Sequence, residues 1–84
     1  MTTKEIQQAE NILTGKLQLL EGLDLARDVA YYQKIEIVKT YHSTYDELSG
    51  MITFLGKMGY DCAYHPKDET HKSFFTIEKS LFNI

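Results

Sequence analysis

Thr44–Lys79, TYDELSGMITFLGKMGYDCAYHPKDETHKSFFTIEK, reads as a capped amphipathic helix, a glycine stop and two short strands about a polar turn. Ser43 and Thr44 offer N-caps, and Glu47, three residues after Thr44, completes a capping-box pattern. Leu48, Met51, Ile52, Leu55 and Met58 then recur on one helical face. Gly59 is placed as the left-handed residue that ends such a helix. Tyr60–His65 and Lys72–Lys79 read as strands joined by 66–71, and Pro66 marks the end of the first because it has no N–H to donate.

Upstream, Thr2 and Glu5 form another capping-box pattern, for a helix starting at Thr3. Ile6, Ala9, Leu13, Leu17 and Leu20 make its apolar stripe, widened by Ile12, Leu19 and Leu23. Gly15 costs about 1 kcal/mol relative to alanine in a helix interior, which points to close packing or a weak spot. Gly22 followed by Asp24 reads as a stop and a new N-cap, with a short second helix over Leu25–Tyr32. Residues 33–42 carry Ile35, Ile37, Val38, Thr40 and Tyr41, a β-branched and aromatic density that favours a strand. Continuation of the second helix through Tyr41 competes with it.

The expected architecture is therefore a single α+β domain over 1–84. N-terminal helices precede a β-α-β-β run, and a three-stranded, mainly antiparallel sheet carries its helices on one face. Alternation directs Ile35, Ile37, Tyr60, Cys62, Phe75 and Ile77 toward the helices. It leaves Val38, Thr40, Ala63, His65, Phe74 and Thr76 on the open face. Gly50 and Gly56 would admit a close backbone approach, and the apolar tail of Leu81, Phe82 and Ile84 should dock on the domain or on a second copy.

At 84 residues with 43% hydrophobic and 25% charged side chains, the chain has the composition of a small globular protein. No apolar run is long enough to span a bilayer, so no membrane association is expected. The first residues carry acids and amides where a signal peptide needs basic then apolar ones. Cys62 is the only cysteine, which excludes an intrachain disulfide and suits a reducing compartment. A cytoplasmic location is expected. A formal charge of −3 with one arginine, Arg27, disfavours nucleic acid as a partner.

No catalytic set, cofactor or metal site is expected. Cys62, His65, His71 and His42 invite a metal reading, but Cys62 and His65 fall on opposite faces of one strand. Asp61 beside Cys62 would raise the thiol pKa, contrary to what a nucleophile needs. Gly56-Lys57-Met58-Gly59 sits at a helix C-terminus, the wrong end of the dipole for a phosphate. Six tyrosines without a tryptophan carry more information. They either plug the edges of a small core or form a recognition patch. Tyr64, His65, Phe74, Val38 and Tyr45 are the candidate partner-binding residues.

Two resemblances add to this reading. LGKMGYDCAYHPKDETHKSFFTIEK resembles, in its helix–glycine–hairpin layout, the wing of MarR-type winged-helix repressors, which implies nucleic-acid binding through Lys57, Lys67 and Lys72. FLGKMGYDCAYH and SFFTIEK resemble segments of small phage and prophage proteins of Gram-positive bacteria. That resemblance implies a mobile-element accessory protein that binds and blocks a host or defence protein, a non-enzymatic inhibitor. A homodimer is also expected, and a nucleotide held by stacking between tyrosines is a further alternative.

Overall fold

A computed structural model describes residues 1–25 and 31–80. The order is α1 (Thr3–Leu25), α2 (Tyr31–Lys57), β1 (Tyr60–His65) and β2 (Phe74–Lys79). The chain is α+β, but among the described residues the order is α-α-β-β and the sheet has two antiparallel strands.

α1 begins where its capping box places it. The Thr2 hydroxyl accepts the Glu5 N–H at 3.1 Å, and Glu5 Oε1 accepts the Thr2 N–H at 2.9 Å. Donation from the Thr2 backbone N–H, then from its side chain, holds the Glu5 carboxyl below its ordinary pKa. α1 does not stop at Gly22; it runs through Gly15 and Gly22 to Leu25. A glycine ends a helix only where the chain turns left-handed, and neither of these residues does. A methyl group at Gly15, Gly22, Gly50 or Gly56 would meet nothing within 4 Å, so none of the four serves a close backbone approach.

The expected strand over 33–42 is helix, as is the expected cap at Ser43–Thr44: α2 passes through both without interruption. β-branched residues lose only a few tenths of a kcal/mol in a helix, less than burial of a side chain such as Leu48 returns, roughly 1.5–3 kcal/mol. Tyr41, Leu48, Met51, Ile52 and Leu55 continue one buried stripe that strand geometry would scatter. Thr44, expected at a helix start, is 6% exposed in its middle. The expected helix over Leu25–Tyr32 and the apolar tail lie largely or wholly outside the described residues.

Gly59, at φ 91°, is the one left-handed residue described, and it turns α2 directly into β1. The strands pair Tyr60 with Lys79, Cys62 with Ile77, Tyr64 with Phe75 and His65 with Phe74. Phe75 and Ile77 are buried against Leu13, Leu20, Leu48 and Leu55, with Tyr60 and Cys62 at the margin of this core. The inner face expected for the hairpin is thus observed.

The outer edge of β2 is sealed by a row of polar side chains on α1. Glu10 Oε2 accepts the Ile77 N–H at 3.0 Å, and Thr14 Oγ1 accepts the Phe75 N–H at 3.0 Å. Gln18 Nε2 donates to the Ser73 carbonyl at 3.1 Å. Steps of four put these three side chains on one flank of α1, where they occupy backbone groups that an edge strand otherwise leaves open. Lys16 pairs with Glu47 at 2.6 Å across the outer side of the helix pair.

Candidate binding surfaces

The open face of the hairpin carries Asp61, Ala63 and His65 on β1 and Phe74, Thr76 and Glu78 on β2. Direct cross-strand pairing stacks the His65 ring on Phe74, with centroids 4.5 Å apart and planes 13° from parallel. His71, from the connecting loop, meets Phe74 edge-on at 5.0 Å and 80°. His65 Nε2 lies 2.9 Å from Thr76 Oγ1, which fixes the ring over the strand. The result is one phenyl ring held between two imidazoles.

The loop that presents His71 is built by Asp68. Its Oδ1 accepts the Thr70 hydroxyl and N–H, each at 2.7 Å, and the His71 N–H at 3.1 Å. Its Oδ2 lies 3.0 Å from His71 Nε2, while His71 Nδ1 donates to the Lys72 carbonyl at 2.8 Å. Hydrogen bonds from the Thr70 side chain, then from the backbone, hold the Asp68 carboxyl below its ordinary pKa. Ser73, 1% exposed, closes the base of the loop by accepting the Lys67 N–H at 3.1 Å. A segment that reads as a solvated turn is thus tied down at both ends. The cue was Asp68 two residues before a threonine, an Asx-turn pattern.

The five residues singled out as a patch do not form one surface. His65 and Phe74 stack together on the open face. Tyr64 alternates to the helix-facing side, in ring contact with Phe75 at 5.9 Å, although 53% exposed. Val38 and Tyr45 are exposed on α2, since the strand expected to carry Val38 is absent.

Beyond the hairpin, the helices frame a cleft of about 450 Å³ lined by Leu23, Ile37, Val38, Tyr41 and His42, among others. A second recess of about 390 Å³ lies between the end of α1 and the loop, against Tyr64 and Pro66. Neither gathers a catalytic set. Burial, then the Asp61 charge, pushes the Cys62 thiol above its ordinary pKa, which makes it a poorer nucleophile at neutral pH. Among the described residues, no three His, Cys, Asp or Glu side chains converge as metal ligands. No described helix is long and apolar enough to cross a membrane.

No protein-family model, curated protein or solved structure matches the chain.

Proposed function

We propose that this chain is a non-enzymatic interaction module that engages a protein partner through the open face of its hairpin. The observation that carries the reading is Phe74, an aromatic held between His65 and His71 on a face that no described element covers. A ring already fixed by stacking and by a hydrogen-bonded loop loses little freedom on binding, so more of its contact energy appears as affinity. Such pre-ordered aromatics are what interface hot spots are made of. The mechanism is occlusion: the hairpin face seats on a partner's surface and blocks access to it. The resemblance to small phage and prophage proteins makes a host or defence protein the class of partner.

Affinity capture from bacterial lysate, with bound proteins quantified for wild type and Phe74→Ala, tests this. One protein should be depleted about tenfold or more with Phe74→Ala, while thermal unfolding shows both chains folded. Equal capture by both chains removes the reading. A bound mass of a few hundred daltons lost on denaturation would favour a sequestered nucleotide instead. Nucleic-acid binding that collapses with salt would favour the winged-helix alternative.

A further inference from the structure

α2 carries a second pattern, which meets the one that fills the core only at Ile52. Ile35, Val38, His42, Tyr45, Ser49 and Ile52 recur at alternating steps of three and four, the spacing of a heptad seam. At 3.6 residues per turn this seam lies roughly a quarter turn around the helix from Thr44, Leu48 and Leu55, which face the core. Glu47 lies on the other flank, bonded to Lys16 of α1. Of the seam's residues, Val38 and His42 also line the cleft that opens toward Leu23 of α1. Ile35 is 40% exposed, Val38 53% and Tyr45 52%, so a repeated apolar row on a regular helix is uncovered.

We infer that a second copy of this chain covers the seam, α2 against α2 in antiparallel order about a two-fold axis between Ser43 and Thr44. That register sets Ile35 against Ile52 of the second copy, Val38 against Ser49, and His42 against Tyr45, each pair occurring twice. It also sets Lys39 beside Asp46 of the second copy, twice, about one helical turn to either side of the two-fold axis. Within one chain Lys39 makes a loose, exposed ion pair with Glu36, at 3.8 Å. A parallel pairing would instead place Lys39 beside Lys34 of the second copy, like against like. Charge thus selects the antiparallel arrangement, and the open face of the hairpin stays free for another partner.

Sedimentation velocity over a concentration series up to the order of 100 µM should show a monomer–dimer equilibrium. Val38→Glu should weaken it at least tenfold, and Lys39→Glu should weaken it less. Adding Asp46→Lys to Lys39→Glu should restore the dimer, a result that loss of folding cannot produce. In a Cys62→Ser background, mixing Ile35→Cys and Ile52→Cys chains under mild oxidation should give the mixed disulfide, while Ile35→Cys alone should not self-link. A strictly monomeric chain overturns the inference. So does a dimer indifferent to Val38→Glu, or an Ile35→Cys chain that links to itself.

Discussion

The seal on the outer edge of β2 sets a value on a single hydroxyl group. Thr14 Oγ1 accepts the Phe75 N–H at 3.0 Å, and Phe75 is 9% exposed, so water has little access to replace the bond. Thr14→Val keeps the side-chain shape, removes the acceptor and leaves a part-buried N–H without a partner. Such an orphaned group costs about 1–3 kcal/mol. In a domain of this size each kcal/mol lowers Tm by about 4–8 °C, so Thr14→Val should melt at least about 4 °C below wild type. Thr14→Ser retains the hydroxyl and loses one methyl group, and it should melt above the valine variant. Circular dichroism at 222 nm gives the Tm values, and amide hydrogen exchange at Phe75 reports the bond itself. If Thr14→Val melts within about 2 °C of wild type, or above Thr14→Ser, the polar row does not stabilise the strand edge as argued.

Two glycines should respond in opposite directions. Gly59→Ala forces a Cβ into the left-handed region at φ 91° and should cost about 1–2 kcal/mol, whereas Gly15→Ala, with open space around it, should gain up to about 1 kcal/mol. Urea midpoints for the two variants check both signs, and a destabilised Gly15→Ala would show that α1 needs flexibility there. Because burial and Asp61 raise the Cys62 pKa, less thiolate is present at pH 7 than for a free thiol, so iodoacetamide should react several-fold more slowly with Cys62 than with glutathione. The rate should climb as pH rises above the ordinary thiol range and should increase with Asp61→Asn; a rate equal to that of glutathione and unchanged by Asp61→Asn would contradict both causes.

Where the structure follows the sequence, the deciding residues act over a few neighbours. Thr2 and Glu5 satisfy each other's backbone groups within one turn, so the start of α1 needs no tertiary help. Pro66 and the alternation of Phe75 and Ile77 define the hairpin and its inner face in the same local way. The stacking of His65 on Phe74 was half legible: alternation places both on one face, but contact required the cross-strand register, which the sequence leaves open. Val38 joins that patch only on the reading of 33–42 as a strand, and Tyr45 only as one of the six tyrosines.

The sequence by itself determined the cap of α1, the glycine turn from α2 into β1, and the side of the hairpin that is buried. Each follows from hydrogen bonds, φ preference or alternation within a short span of chain. The tertiary structure decided between helix and strand for 33–42, because isolated β-branched residues prefer a strand only weakly and the packing of one helical stripe, from Tyr41 to Leu55, against the core outweighs that preference. It also decided that Glu10, Thr14 and Gln18, polar residues one would assign to solvent, serve a strand edge more than fifty residues away. Local sequence cannot express that pairing, since a hydrogen-bond acceptor on a helix has no meaning until the fold brings a donor to it.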